Sequence, residues 1–222
     1  MNAQTSMITF SETEKAVLMG SLLGDSTLQK RGENSFRYRV AHGIQQREYV
    51  MWKYSKLSRL CQTTQPPREI TNRRGQVSCE FYTSSGLYLK DLYDLFYKQD
   101  LQNRNRFIKT ITPELILQLP MNPIVLAVLF MDDGSVRNDC YAGKIATQCF
   151  SLEENNLLKD YLKNWGIDIN IVRHTQASGQ YYISIPSRSF PKLVEIIEPT
   201  VREVPVMVYK LNEVNRASRL TP

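Results

Sequence analysis

A nine-residue pattern occurs twice in this chain. Leu18-Met-Gly-Ser-Leu-Leu-Gly-Asp25-Ser and Leu126-Ala-Val-Leu-Phe-Met-Asp-Asp133-Gly align without gaps at an offset of 108, each with an apolar residue at the first and fifth positions and Asp at the eighth. A period of about half the chain implies two copies of one unit facing each other. Further matches keep the same order. Ala41 and Glu48 parallel Ala146 and Glu153, and both lead into helical patterns, Tyr49 to Leu60 and Asn155 to Trp165. A turn and strand follow, Arg74-Gly-Gln-Val-Ser-Cys-Glu-Phe against Ser178-Gly-Gln-Tyr-Tyr-Ile-Ser-Ile, then a helix, Leu87 to Tyr97 or Phe190 to Ile197. Each copy closes on a lysine, Lys109 or Lys210, so the offset shrinks from 108 to 101, as independent loop losses in two copies would produce. The halves are read as residues 1–110 and 124–222, joined by 111–123, where Pro113, Pro120 and Pro123 are expected to interrupt regular structure.

The 222 residues suffice for one large domain or two small ones sharing a core, and 42% hydrophobic residues is the content of a folded protein. The longest apolar run, Ile124 to Met131, is far shorter than the roughly 20 residues of a membrane-crossing helix. Met1 to Phe10 lacks the pattern of a secretory or transit segment, so the protein is expected to work where it is made. Cys61, Cys79, Cys140 and Cys149 form no CxxC pair, and His42 and His174 are distant from any cysteine pair, which argues against zinc and disulfide frameworks. A formal charge of +6 points toward a polyanionic partner without proving one.

Coarsely, each half reads as helix, hairpin, helix, hairpin, helix. Ser11 with Glu14, and Ser151 with Glu154, have the spacing of helix capping boxes. Arg37 and Arg39 alternate with Phe36, Tyr38 and Val40, the period of a strand with one buried and one basic face. Gln76, Ser78, Glu80 and Tyr82 alternate with Val77, Cys79 and Phe81, and Gln180, Tyr182 and Ser184 with Tyr181, Ile183 and Ile185.

On a helix, Leu18, Leu22 and Asp25 fall at i, i+4 and i+7, and Leu126, Phe130 and Asp133 repeat that geometry. If the two stripes pack together, both acids meet at helix C-termini, where an anion is disfavoured by roughly 0.3–1 kcal/mol and two carboxylates repel. A divalent cation reverses both penalties, and the carbonyls of Gly24 and Asp132 could complete an oxygen-ligand set suited to Mg2+. The bland alternative is that Asp simply marks a helix-to-turn transition; finding it twice at one position favours the metal. Gly20 and Gly24 are read as packing residues that let helices approach closely.

The two segments resemble the motif that names the LAGLIDADG family, and the likeness extends in weaker form from about Ser11 to Leu211. Phe-Met-Asp132-Asp133-Gly, Thr147-Gln148-Cys-Phe-Ser-Leu-Glu-Glu and Met207-Val-Tyr-Lys210-Leu resemble stretches of single-chain yeast-type members. The motifs depart from the family pattern at Met19, Ser21, Ser26 and Val128. The resemblance implies an α+β saddle of two αββαββα halves, with motif helices at the interface and antiparallel sheets in the DNA major groove. It further implies a homing endonuclease that cuts both strands of a long asymmetric double-stranded DNA site, leaves 3′ overhangs and promotes intron mobility. Carried over, Asp25 and Asp133 would be the metal-binding catalytic acids, with Mg2+ as cofactor and Mn2+ or Ca2+ able to occupy the site. Lys109 and Lys210 would be active-site lysines, and Gln148 a polar active-site residue whose first-half counterpart is Gly43, leaving Gln45 or His42 to fill in. Candidate DNA-binding residues are Arg37, Arg39, Arg73, Arg74, Gln76, Lys144, Arg173, Gln180 and Tyr182, some for base edges and some for phosphate.

The rival functions are an RNA-splicing maturase and a non-catalytic DNA-binding regulator on the same scaffold. Neither requires the two acids, and both acids are present. An intein is disfavoured, since Met1 is no splicing nucleophile and a terminal His-Asn is lacking. A monomer with internal pseudo-symmetry is expected, organelle-encoded or bacterial or phage in origin.

Overall fold

The structure is a computed structural model that describes residues 8–100, 103–104, 106–175 and 179–215; Ser178 and Met1 to Met7 lie outside the described residues. Its centre is a pair of helices, α1 (Glu12–Leu23) and α5 (Pro123–Asp133). Ser11 starts α1 as a full capping box: its hydroxyl accepts from Glu14 N–H at 3.2 Å, and the Glu14 carboxylate accepts from Ser11 N–H at 2.8 Å. The Asn122 side chain caps α5, where Pro123 occupies the first turn and leaves no hydrogen bond unmade. Both helices are apolar around most of their circumference, and Val17, Leu18, Leu22, Val125, Val128 and Phe130 are fully buried.

Contacts between the helices follow the repeat. A Cβ on Gly20 would lie 2.8 Å from the Val125 carbonyl oxygen and 3.1 Å from Val128 Cβ, and one on Gly24 would lie 2.6 Å from Asp132 Cβ. Positions 20 and 128 are equivalent in the repeat, as are 24 and 132, so equivalent positions touch each other. A local twofold axis between the helices has this consequence.

Each half builds the same antiparallel sheet. In the first, β1 (Thr27–Gly32), β2 (Ser35–Gly43), β3 (Arg68–Thr71) and β4 (Val77–Tyr82) take the order β1-β2-β4-β3, with α2 (Arg47–Lys56) and α3 (Lys90–Phe96) on the core side. A small hairpin, β5 (Tyr97–Gln99) with β6 (Phe107–Lys109), follows. In the second, β7 (Gly134–Val136), β8 (Gly143–Ile145), β9 (Asn170–Arg173) and β10 (Tyr181–Ile185) take the order β7-β8-β10-β9, with α6 (Leu152–Asn164) and α7 (Phe190–Arg202). The architecture is α+β with two αββαββα halves, as the resemblance implied. β2 buries alternate residues, Phe36, Tyr38 and Val40, beneath Arg37 and Arg39.

Two local expectations need correction, and the two closing lysines sit in unlike elements. The join does not merely interrupt structure: Thr112 caps a short helix, α4 (Pro113–Gln118), and Pro113 and Pro123 begin helices because the first turn needs no N–H. The helix expected to reach Leu60 ends at Lys56 and passes into a 3-10 turn, Ser58–Cys61. Lys109 lies in a strand of the added hairpin, whereas Lys210 lies in the 3-10 turn Pro205–Leu211. Among the described residues no helix is long and apolar enough to cross a membrane.

Candidate active site at the paired helix ends

Gly24 caps α1, with its N–H bonded to the Ser21 carbonyl at 3.1 Å, and the chain turns so that the Asp25 side chain is 47% exposed. Asp133 is the last residue of α5. The two acids lie close enough to be coupled. Burial, then the Asp25 and Asp132 charges, push Asp133 up to about 7, and burial with the Asp132 charge also raises Asp25. Without a cation Asp133 therefore keeps its proton to a higher pH than an ordinary carboxylate.

Carbonyls at the ends of both motif helices, on buried residues, already hold ammonium groups. Lys109 Nζ donates to the carbonyls of Gly24 at 2.6 Å and of Leu22 and Ser26 at 3.0 Å. Lys210 Nζ donates to the carbonyl of Gly134. Burial lowers the pKa of both lysines. Carboxylates and carbonyls that converge on positive charge are the donor set of a hard divalent cation, so the residues present fit such an ion.

A second cluster sits beside Asp25, and sequence reasoning missed most of it. Asp132 entered that reasoning only through its carbonyl, yet its side chain is fully buried and turned across the interface onto Gly24. Its carboxylate accepts from Lys53 Nζ at 2.7 and 3.0 Å, from Tyr49 OH at 2.8 Å and from the Asp25 backbone N–H at 3.3 Å. Lys53 is itself completely buried, which pulls its pKa down, while two carboxylate oxygens in contact oppose that pull. His42 Nε2 lies 3.2 Å from Lys53 Nζ, and Nδ1 lies 3.7 Å from Asp25 Oδ2. Burial, then the Lys53 charge, depress His42 to about 4, so its ring is neutral at pH 7. One ligand-type atom each from Asp25, His42 and Asp132 lie within 4.8 Å of one another. The available signal was a lysine on the buried face of α2, beside Tyr49, Val50 and Trp52.

Gln148 is half-buried in the turn after β8. On the first sheet, Arg37 donates to Gln29 at 2.9 Å and lies 4.0 Å from the Tyr82 ring centroid, while Arg39 is bound to Glu80 at 2.8 and 3.0 Å. Glu80 also pairs with Arg68, so the basic face of this sheet contains a neutralised acid. Arg73 and Arg74 are exposed in the β3–β4 turn, where Gly75 takes φ +77° and the Asn72 side chain accepts from the N–H groups of Arg74 and Gln76. Lys144, cross-strand from Ser184, shares a face with Tyr182 and Gln180. Arg173 pairs with Tyr181 and so falls on the opposite side of that sheet from Lys144 and Tyr182.

The sequence profile described as the LAGLIDADG DNA endonuclease family matches residues 15–193. DNA endonuclease I-ChuI of Chlamydomonas applanata is 31% identical over 222 residues, covering 94% of this chain and 99% of that protein. The chain belongs to the LAGLIDADG DNA endonuclease family. This LAGLIDADG chain is also 27% identical to Protein RecA of Mycolicibacterium chitae, over 90% of its own length but 47% of that protein, so it spans about half of the RecA it matches. Among solved structures, the homing endonuclease I-WcaI bound to its DNA recognition sequence superposes with a TM-score of 0.75 at 22% identity, covering 92% of this chain and 88% of that one. A variant of I-DmoI in complex with its target DNA and manganese gives 0.56 at 15% identity, covering 84% and 96%. At these identities the two structures establish the LAGLIDADG fold.

Proposed function

We propose that this chain is a homing endonuclease that hydrolyses one phosphodiester bond in each strand of a long, asymmetric double-stranded DNA site. It leaves 3′ overhangs and acts as a monomer, because one chain supplies both halves. The observation that carries this reading is the placement of Asp25 just past the C-terminus of α1 and of Asp133 at the last residue of α5, where the two helix ends meet and each has its own lysine. The name of the relative I-ChuI supports it.

Asp25, Asp133 and the carbonyls of Gly24 and Asp132 would hold the divalent cation, proposed to be Mg2+. When bound, such an ion supplies an activated water and counter-charge for the phosphate, so no histidine base is required. Lys109 and Lys210 add positive charge where the phosphate gains negative charge. Arg37, Arg73, Arg74, Gln76, Lys144, Gln180 and Tyr182 would position the duplex through phosphates and base edges. The retained acids favour cutting over RNA splicing or non-catalytic regulation.

The test uses a plasmid carrying the DNA sequences that flank the reading frame, joined without it. In Mg2+ the purified protein is expected to linearise it with 3′ overhangs, and in EDTA to leave it intact. Cutting that persists in EDTA contradicts the metal assignment, and no cutting in Mg2+ contradicts the nuclease reading.

A further inference from the structure

The buried cluster at the interface is one-sided. By the repeat, Asp132 is matched by Gly24, which has no side chain. At the offset of 105 that relates Ala41 to Ala146 and the start of α2 to the start of α6, His42 is matched by Thr147 and Lys53 by Leu158. Thr147 turns its hydroxyl away to Asn155 Oδ1 at 2.5 Å, and Leu158 is a buried core residue. Asp132, His42 and Lys53 are thus each unmatched at the equivalent position, and Asp132 and His42 both face Asp25.

We infer, building on the nuclease reading above, that Lys53 is a positioning residue for one of the two catalytic centres. Its ammonium holds Asp132 and His42 in the arrangement that fixes Asp25 from both its backbone and its carboxylate side. Lys53 can only donate, so at 3.2 Å from His42 Nε2 it makes that nitrogen the acceptor and leaves the ring proton on Nδ1, which faces Asp25 Oδ2. It also binds both oxygens of Asp132, and Asp132 Oδ2 accepts the Asp25 N–H. The Asp25 N–H is thus held by Asp132 at 3.3 Å, and its half-exposed carboxylate faces the His42 ring at 3.7 Å. Among the described residues, Asp133 has no corresponding support. The same ammonium fills the cationic position between Asp132 and His42, so the Asp132 carboxylate is neutralised by the protein and is not a metal ligand.

Two measurements test this. The chain has two histidines, so 15N-histidine NMR of the metal-free protein resolves His42 from His174. The expected result is a neutral His42 ring carrying its proton on Nδ1. Lys53→Met alone leaves Asp132 buried and uncompensated, so the working variant is Lys53→Met with Asp132→Asn, a neutral pair of similar shape that keeps an acceptor for the Asp25 N–H. In it His42 is expected to lose the Nδ1–H preference. In the second measurement each strand of the cleavable plasmid site is end-labelled. The double variant is expected to slow the strand whose cutting Asp25→Asn abolishes by about 10-fold or more relative to the strand lost in Asp133→Asn. His42 protonated on Nε2 in the wild type, an unchanged tautomer in the variant, both strands slowed equally, or neither slowed, would each overturn the inference. Failure of the wild-type protein to cut either strand would overturn the nuclease reading and this inference with it.

Discussion

Replacing Asp25 or Asp133 with Asn is expected to reduce double-strand cutting on the order of 10³-fold while DNA affinity changes by no more than a few-fold. Losing one ligand carboxylate forfeits several kcal/mol of charge stabilisation at the phosphate, and about 4 kcal/mol corresponds to three powers of ten in rate. Either substitution removes one member of the like-charge cluster in which Asp133 is raised to about 7, so the metal-free variants are expected to melt no lower than the wild type. That combination separates lost chemistry from lost fold. Each single variant should nick one strand and stop, visible as open-circular plasmid, with binding followed by gel shift. Linear product at wild-type rate from either variant would remove that acid from the site.

Gly20→Val is expected to destabilise the fold by about 2–3 kcal/mol, which lowers the melting temperature by about 5–10 °C for a chain of this size. Helix propensity alone predicts the opposite sign, since Val is better than Gly in a helix interior by a few tenths of a kcal/mol. Packing decides, because a Cβ at position 20 would meet backbone atoms of α5, the Val125 oxygen at 2.8 Å and Cα at 3.1 Å, neither of which is a flexible tip. The halves would have to separate where their equivalent positions touch. Thermal melting followed by circular dichroism checks this, and an unchanged or higher melting temperature would mean that the close crossing of α1 and α5 does not govern stability.

Much of the fold was legible because the sequence states it twice. The 108-residue repeat located α1 and α5, the apolar stripes oriented them, and Gly20 and Gly24 marked where they cross. Both capping boxes formed as spaced, since capping depends on residues three apart. What could not be read was whatever depends on distant partners. Lys53 lies in the helical pattern Tyr49 to Leu60, where nothing local marks it as paired, and its partner Asp132 is 79 residues away. Glu80 likewise looked like one more polar residue of an outward strand face, and became buried through Arg39 and Arg68. The side of the sheet that Arg173 takes is fixed by its pairing with Tyr181 across β9 and β10, a long-range register that no local pattern states. The helix α4 was missed because proline was taken as a breaker at the first turn of a helix, where no N–H is needed.

The central claim is that Asp25 and Asp133 together hold divalent cations against the DNA backbone. Its most direct test is an anomalous difference map from crystals of the protein with its uncut DNA site, grown in Mn2+. Peaks are expected within roughly 2–2.5 Å of carboxylate oxygens of both Asp25 and Asp133 and beside the phosphates to be cut. Manganese bound elsewhere, with both carboxylates bare, would contradict it.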